Sequence, residues 1–274
     1  MKEIFYIGRS FSIVWQRRDL LYQLTVRNVE SRYRGSMLGL AWGFFQPLLM
    51  LSIYTFVFSI VFKAKFGNMP TDSRMAFAVI LFSGMAVFSI FADSVIGSCY
   101  LITGNANYVK KVVFPLELLP FSHVAGVAIN GLPSFLLVML GMLCCGSPFY
   151  FSWTILLLPV TLIPLLLLSL GCAFFLASLA VYIKDISYVI GVFTQVLFFM
   201  TPIFYPIEAV PEQFRWILQF NPLSVMVENT RSLLLYGQLP ALASCLTSFI
   251  LAAVIYQLGF FWFYKSKKGF ADVL

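Results

Sequence analysis

Long apolar stretches separated by short polar segments dominate the hydrophobic pattern of this chain. Six stretches reach the roughly 20 mostly apolar residues that a helix needs to cross the hydrocarbon of a bilayer. They are approximately residues 39–62, 76–102, 112–145, 151–183, 186–206 and 241–264. Membrane β-strands would instead alternate apolar and polar positions over roughly ten residues. The pattern therefore predicts an all-α polytopic membrane protein with six transmembrane helices.

The composition agrees with a protein whose solvent is largely lipid. Hydrophobic residues make up 61% of the 274 residues and charged residues only 11%, whereas a soluble domain carries roughly a quarter charged residues. Soluble enzymes, disordered chains and disulfide-rich secreted domains do not fit this composition. Prolines lie within the predicted spans, and each predicts a bend. They are Pro47, Pro133, Pro159 and Pro164.

Lysine and arginine are distributed unequally between the two sides of the predicted spans. Most of the 18 such residues fall before the first span, after the last span, or in the loops on the same side as these two segments. The positive-inside rule therefore predicts that both ends of the chain lie in the cytosol. This asymmetry and anionic lipid explain the formal net charge of +7, so the charge does not indicate nucleic-acid binding.

The segment 19–34, before the first span, has the pattern of an amphipathic helix. Apolar residues recur at helical spacing on one face and polar residues on the opposite face. These positions are Tyr22, Val26, Val29 and Tyr33, and Gln23, Arg27, Glu30 and Arg34. Asp19 is a candidate cap for the start of this helix. The helix either lies on the lipid headgroups or docks a partner protein, and the two interpretations are compatible.

Two patterns around the first span concern packing and a possible substrate path. Gly35, Gly39 and Gly43 are spaced four apart, which predicts a smooth helical face for close approach of a helix from the same chain or from a second copy. Tyr54, Phe58 and Phe62 recur at every fourth position. Either they face lipid, or they line a path and offer flat ring faces to sugars.

Two polar segments between spans carry candidate functional groups. Residues 103–115 predict a short cytosolic helix with Asn105 as cap and Pro115 as stop, either a plain connection or an element that another protein could push. Residues 207–240 predict two short helices dipping into the outer leaflet. On the second of these, Glu228 and Arg231 are spaced to form an ion pair.

Few groups suited to chemistry lie within the bilayer. We interpret Asp93 as a structural or cavity-lining carboxylate and His123 as a packed, hydrogen-bonded histidine. The cysteines show no metal-ligand spacing and read as small buried hydrophobic residues. They are Cys99, Cys144, Cys145, Cys172 and Cys245. No G-x-x-x-x-G-K-[ST] loop is present, which predicts an unpowered conduit that binds neither cofactor nor metal.

Several motifs occur together in a fixed order. They are Arg32-Tyr33-Arg34-Gly35-Ser36-x-Leu38-Gly39-x-x-Trp42, Gln46-Pro47-Leu48, Asn107-x-x-Lys110-Lys111-x-x-Phe114-Pro115 with Leu119-Pro120, Tyr182-x-Lys184-Asp185, Phe198-Phe199-Met200-Thr201-Pro202-Ile203-Phe204-Tyr205-Pro206 and Asn221-Pro222-Leu223. Together they resemble the permease subunit of type-2 ABC exporters for surface polysaccharides, which include O-antigen, capsule and teichoic-acid transporters. Lys184 departs from the arginine that is common at its position in that family.

The resemblance implies a homodimer of this chain with two copies of a cytosolic P-loop ATPase, which would bind ATP and Mg²⁺. It implies one transmembrane domain, 1–274, in the bacterial cytoplasmic (inner) membrane. Its parts are a cytosolic and interfacial segment 1–38, five spans in 39–206, a periplasmic gate segment 207–240, a sixth span 241–264 and a cytosolic tail 265–274. A lipid-linked polysaccharide would be the substrate, with membrane lipids around the dimer.

The resemblance also assigns roles to residues. Residues 105–113 would form the coupling helix that sits in the ATPase, and 19–34 the interfacial helix. The implied ATPase contacts are Asn105, Asn107, Tyr108, Lys110, Lys111, Arg27, Arg34, Lys184 and Asp185. The implied channel-lining aromatics are Trp42, Tyr54, Phe58, Phe62, Phe193, Phe198 and Phe204. Glu228 and Arg231 would belong to the gate.

Two alternatives stay open from the sequence. A type-2 ABC permease for a small lipid or drug would share the fold and the ATPase partner. A membrane enzyme acting on lipid-linked sugars would need at least two polar catalytic groups at one depth, and only Asp93 and His123 are candidates.

Overall fold

The computed structural model describes residues 12–61, 74–110, 114–146 and 149–274, apart from the side chains of residues 40, 59 and 74. The described residues contain helices and connecting turns but no β-strand, which confirms the all-α prediction. Phe62 and Lys111, which the resemblance assigns to the channel and to the ATPase contact, lie outside the described residues.

The α-helices follow the predicted spans and polar segments in order. They are α1 (Arg18–Tyr33), α2 (Trp42–Tyr54), α3 (Arg74–Ser98), α4 (Ala106–Lys110), α5 (Leu118–Cys145), α6 (Leu158–Tyr182), α7 (Ile186–Met200), α8 (Glu212–Phe220), α9 (Pro222–Leu234), α10 (Leu242–Ser266) and α11 (Phe270–Val273). A π-helix, Thr55–Val61, continues α2, and a 3₁₀-helix, Trp153–Leu157, leads into α6.

Four helices in the described ranges are long and apolar enough to cross a membrane. They are Met75–Ser98, Leu118–Cys145, Trp153–Tyr182 and Leu242–Val273. The first and fifth predicted spans correspond to shorter apolar helices, Trp42–Phe58 and Ile186–Met200. At 1.5 Å per residue these two reach only about 25 Å and about 22 Å, which is less than the roughly 30 Å of bilayer hydrocarbon. The count of six spans therefore stays a prediction.

The helices pack around α3, most of which is buried. Glycines on α5 let it approach α3 closely, because a Cβ added to Gly131 would lie 2.8 Å from Ile90 and one added to Gly141 would lie 2.7 Å from Val79. Pro47, Pro133 and Pro164 lie inside helices. Pro159 instead lies in the first turn of α6. Backbone N–H groups in the first turn of a helix have no intrahelical acceptor, so a proline there removes no hydrogen bond. The bend predicted at Pro159 therefore has no structural cause.

The predicted glycine face is wrong. Gly35 and Gly39 have φ values of +83° and +51°, which a right-handed helix excludes. They lie in the connection between α1 and α2, where Gly39 begins a short 3₁₀-helix, and of the three only Gly43 lies in an α-helix. A Cβ added to Gly43 would lie 3.0 Å from the hydroxyl of Tyr33. These glycines therefore turn the chain between two helices instead of forming one helix surface.

The predicted face of the amphipathic helix is only partly correct. The buried residues of α1 are Leu24 and Thr25, whereas Tyr22 is 71% exposed. The helix packs against α5, where the Asn28 side chain donates a hydrogen bond to the Ser122 hydroxyl at 3.2 Å. Asp19 lies within the first turn and does not cap the helix, because the N-cap position is occupied by Arg17.

Candidate functional site

A contact between α1 and α4 joins the predicted interfacial and coupling helices. The Nη1 of Arg27 donates a hydrogen bond to the hydroxyl of Tyr108 at 2.8 Å, and the guanidinium lies over the same ring, 5.9 Å from its centroid. The ring of Tyr108 stacks on Phe114, with centroids 4.5 Å apart and planes 13° apart. Two of the predicted coupling residues therefore meet, although they are 81 positions apart in the chain.

Asn105 directly precedes the predicted coupling helix, at the position where the sequence places a cap. Its side-chain amide donates to the Leu101 carbonyl at 2.8 Å, and no hydrogen bond from its side-chain oxygen to the helix is found among the described residues. The helix α4 begins one residue later and runs to Lys110. Asn107 and Lys110 are exposed on this short helix. They are therefore accessible to a partner, whereas Tyr108 is half-buried against its neighbours.

The other predicted coupling residues lie apart from the Arg27–Tyr108 contact along the chain. Arg34 follows α1 in extended conformation and is exposed. Lys184 and Asp185 lie in the tight turn between α6 and α7, and both are exposed. Within the described ranges, no hydrogen bond or ion pair links these three residues to Arg27 or Tyr108. Their role in contacting an ATPase stays a prediction.

Four of the predicted channel aromatics converge where α2 passes into the π-helix and α7 ends. Tyr54 lies 6.4 Å from Phe58, 6.1 Å from Phe198 and 5.5 Å from Phe204, measured between ring centroids. Phe58 stacks on Phe204 at 4.5 Å, and Phe198 meets Phe204 edge-on at 5.0 Å. We call these four residues the aromatic cluster. Phe88 and Phe199 extend it at its edges.

The aromatic residues differ in how accessible they are. Phe204 is only 6% exposed and packs behind its neighbours, so it does not line a surface of this chain. Trp42, Phe193 and Phe199 are 37%, 52% and 56% exposed. Phe199 was not among the predicted residues, although it directly follows Phe198 in the aromatic motif. An exposed ring is available to lipid, to a second copy of the chain or to a substrate.

A buried arginine lies at the centre of the predicted gate segment. Nη1 of Arg231 lies 2.7 Å from Oε1 of Glu228, so the two residues form the ion pair that their spacing indicates. The Arg231 side chain also donates to three backbone carbonyls, those of Pro202 at 2.6 Å, Ile203 at 3.0 Å and Ile80 at 3.4 Å. One side chain on α9 thereby connects the end of α7 to α3.

Two features make this burial possible. A Cβ on Gly84 would lie 2.7 Å from Nη2 of Arg231, so only glycine leaves room for the guanidinium against α3. Burial lowers the pKa of Arg231, and the Glu228 carboxylate acts in the opposite direction. A buried charge needs such a partner because isolation from water costs several kcal/mol.

Asn221 anchors the start of the same helix. Its side-chain oxygen accepts a hydrogen bond from the backbone N–H of Leu223 at 3.0 Å, which caps α9. Its amide donates to the Thr201 hydroxyl at 3.0 Å. This cap fixes α9 to the residues that follow α7, and Pro222 is the first residue of the helix.

Asp93 and His123 have different surroundings. Asp93 forms an ion pair with Arg32 of α1 at 2.8 Å, beside an open cavity of about 150 Å³. Asp93 is thus the structural, cavity-lining carboxylate that was expected, and its partner was missed by sequence reasoning. His123 is packed as expected, with its ring against Gly97, and it hydrogen-bonds to the backbone at Asp93 and Ser94. In the described part of the chain, Nε2 has no hydrogen-bond partner, so the expected hydrogen bonding is met in part.

Two further findings concern groups that sequence reasoning either misjudged or did not single out. Cys144 is exposed, so it is not the buried residue that was expected, whereas Cys99 is buried. Lys267 and Glu117 form an ion pair that the sequence analysis missed. Among the described residues, no group of three or more His, Cys, Asp or Glu side chains is placed to hold a metal ion.

Comparisons with known proteins identify the family of this chain and several relatives. The sequence model of a family described as ABC-2 type transporter matches residues 19–235. The O-antigen export system permease protein RfbA of Klebsiella pneumoniae is 28% identical over 256 residues, which cover 93% of this chain and 95% of that protein. RfbA of Myxococcus xanthus is 28% identical over 231 residues, covering 83% and 84%. The polysialic acid transport protein KpsM of Escherichia coli is 26% identical over 218 residues, covering 78% and 80%.

Proposed function

Because this chain belongs to the ABC-2 type transporter family, we propose that it is the channel-forming permease subunit of an ATP-driven exporter of a lipid-linked surface polysaccharide. The observation that carries the proposal is the match to a relative named as an O-antigen export permease, which covers 93% of this chain and 95% of the relative. The protein is a transporter permease and not an enzyme, and we assign ATP and Mg²⁺ to a separate P-loop ATPase.

The proposed ATPase contact is the surface formed by α4 and α1. Asn107 and Lys110 are exposed there, while Tyr108 ties α4 to Arg27 of α1. A push on α4 would therefore move both helices as one body, in the way that packed elements shift between two discrete arrangements. The push can drive transport only if the ATPase binds the two arrangements with different free energies.

The proposed substrate path uses exposed rings on the short apolar helices α2 and α7. Trp42 and Phe193 offer ring faces from α2 and α7. The aromatic cluster lies at the ends of the same two helices, with Phe204 buried. Stacking on an aromatic ring gives a weak contact, roughly 0.5–1.5 kcal/mol in ring pairs, so a long glycan would slide past successive rings without being trapped. Two copies of the chain would enclose the path.

The gate segment and the orientation complete the proposal. Glu228 and Arg231 would hold α9 against α3 and the end of α7, so that the gate helices move together with the channel wall. We place the protein in the bacterial cytoplasmic (inner) membrane with both ends cytosolic, since most lysines and arginines lie on that side of the predicted spans.

The experiment that tests this function deletes the chain in its native host and measures surface polysaccharide. We expect the polymer to disappear from the cell surface and to accumulate, lipid-linked, in the cytoplasmic membrane. A plasmid copy should restore export only when the P-loop ATPase subunit is intact. Normal surface polymer after the deletion would contradict the proposal, and loss of a small exported lipid with normal polymer would favour the small-lipid permease.

A further inference from the structure

We propose that the segment following α10, residues 267–274, is a second coupling link that transmits movement of α4 directly to the last span. We call this segment the tail brace. The inference rests on the proposed function, because it assumes that an ATPase displaces α4. It adds a route that the sequence did not indicate, since the helix between spans two and three would otherwise move only those two spans.

The tail brace inserts one side chain, Phe270, into a hydrophobic cluster separate from the main core. Phe270 is fully buried in this cluster, together with Phe174 of α6 and Phe260 of α10. Tyr108 of α4 and Phe114 pack against the same cluster, as does Leu274. The last helix, α11, contacts both α4 and α6. The cluster thus collects side chains from the coupling helix, two long spans and the tail.

Phe270 is held on two sides. Its ring meets Phe263 of α10 at 5.6 Å and Tyr182 at the end of α6 at 6.2 Å, measured between centroids. The Tyr182 hydroxyl donates to the Ser266 carbonyl at 3.0 Å. A Cβ on Gly269 would lie 2.8 Å from that hydroxyl, so glycine is needed for the chain to pass Tyr182. These contacts hold the tail brace against the end of α6.

An ion pair connects the tail brace to Glu117, which lies between α4 and α5. The ammonium of Lys267 contacts the carboxylate of Glu117, whose side chain is only 4% exposed. Glu117 immediately precedes α5 and lies three residues after Phe114, which stacks on Tyr108. A carboxylate this buried is costly without its partner. The Lys267 ammonium also lies 4.4 Å from the centroid of the Tyr264 ring on α10.

These contacts form a continuous path from α1 to the last span. Arg27 holds Tyr108, Tyr108 stacks on Phe114, and the short segment from Phe114 leads to Glu117, which binds Lys267. Lys267 directly follows α10. Because the backbones of Gly259 on α10 and Gly171 on α6 are in direct contact, a displacement that reaches Lys267 would move these two helices as a unit.

An anchor with a purely structural role would behave differently from a coupling link. Loosening an anchor would lower the amount of assembled complex, and ATP hydrolysis and export would fall together. Loosening a coupling link would leave ATP hydrolysis in the assembled complex largely intact and would lower the polymer exported for each ATP hydrolysed. The ratio of export to hydrolysis therefore separates the two roles.

The test uses the full complex of this chain with its ATPase subunit, purified and reconstituted in proteoliposomes with its lipid-linked polymer. The variants are Lys267→Met, Glu117→Gln and the charge swap Glu117→Lys with Lys267→Glu. Lys268→Met is the matched control, because Lys268 is the exposed neighbour of Lys267. We expect both single variants to lower the export-to-hydrolysis ratio about fivefold or more, the range of a coupling free energy of at least about 1 kcal/mol.

The control should keep the wild-type ratio, and the charge swap should recover part of the loss. An unchanged ratio in Lys267→Met and Glu117→Gln would overturn the tail brace while leaving the proposed function intact. Lack of ATP-dependent export by the wild-type complex would overturn the proposed function and the inference together. If Lys267→Met does not assemble, Glu117→Gln decides the question, and a wild-type ratio in that variant overturns the inference. Lys267→Arg keeps the positive charge and should retain most of the wild-type ratio.

Discussion

The backbone of Gly259 on α10 rests directly against the carbonyl of Gly171 on α6, because a Cβ added to Gly259 would lie 2.0 Å from that oxygen. The approach is close from the other side as well, since a Cβ added to Gly171 would lie 2.6 Å from the backbone nitrogen of Tyr256. Close backbone contact of this kind is a main source of helix association in membranes, where burial of apolar surface gives no driving force.

Gly259→Ala is therefore expected to destabilise the protein by about 2–3 kcal/mol, since the added methyl group must push two backbones apart. Thermal unfolding of the purified protein in detergent measures this as a lower melting temperature. Gly191→Ala is the matched control, because the space around Gly191 is open, and it should leave the melting temperature unchanged or slightly raised. Equal melting temperatures for the two variants would contradict the packing argument.

Arg231 is expected to be the most sensitive charged position in the gate segment. Arg231→Leu removes the donor to three carbonyls and to Glu228, and breaking a buried pair of this kind costs about 3 kcal/mol or more. Arg231→Lys should recover only part of the loss, because one ammonium cannot replace a planar fork of donors.

Unfolding measurements on these variants test the Arg231 prediction. The exposed Arg17, changed to lysine, provides the control and should behave as the wild type. A lysine at position 231 that keeps full stability would show that charge alone, without the geometry of the guanidinium, holds α9 in place.

The hydroxyl of Tyr108 is expected to matter for coupling and little for folding. Tyr108→Phe removes the acceptor of the Arg27 hydrogen bond but keeps the ring that stacks on Phe114. We expect normal amounts of the protein in the membrane and a severalfold decrease in polymer export. Tyr22→Phe controls for loss of a hydroxyl on the exposed side of α1. Unchanged export in Tyr108→Phe would remove this contact from the coupling route.

Exposed and buried aromatic residues should respond in opposite ways to alanine substitution. Phe204→Ala opens a cavity in the aromatic cluster and should cost about 3–5 kcal/mol of stability. Phe193→Ala should leave stability unchanged and lower export, because its ring is 52% exposed on α7. Phe249, 46% exposed on α10 and not part of the proposed path, provides the control. Full export in Phe193→Ala would indicate that this ring faces lipid.

Local spacing carried the predictions that succeeded. Continuous apolar runs are enough to identify long membrane helices, since a bilayer leaves backbone groups no partner outside the helix. The i, i+3 spacing of Glu228 and Arg231 likewise predicts their contact, because one helical turn brings the two side chains together. Asn221 and Pro222 mark the start of α9 for a similarly local reason.

The glycines show where a repeating pattern is not sufficient. Gly35, Gly39 and Gly43 have the spacing of a helix surface, but positive φ at the first two places them in a turn. Gly171 and Gly259 have no repeat between them, yet they form the closest helix contact described above. Sequence spacing reports neighbours on one helix and contains no information on which helix lies opposite.

The sequence by itself determined the all-helical class, the approximate limits of the long helices and the family motifs. Only the tertiary structure decided which residues meet across the fold, such as Arg32 with Asp93, Arg27 with Tyr108 and Lys267 with Glu117, which are 61, 81 and 150 positions apart. The physical reason is that helix formation depends on interactions within one or two turns, whereas these contacts depend on how the helices pack.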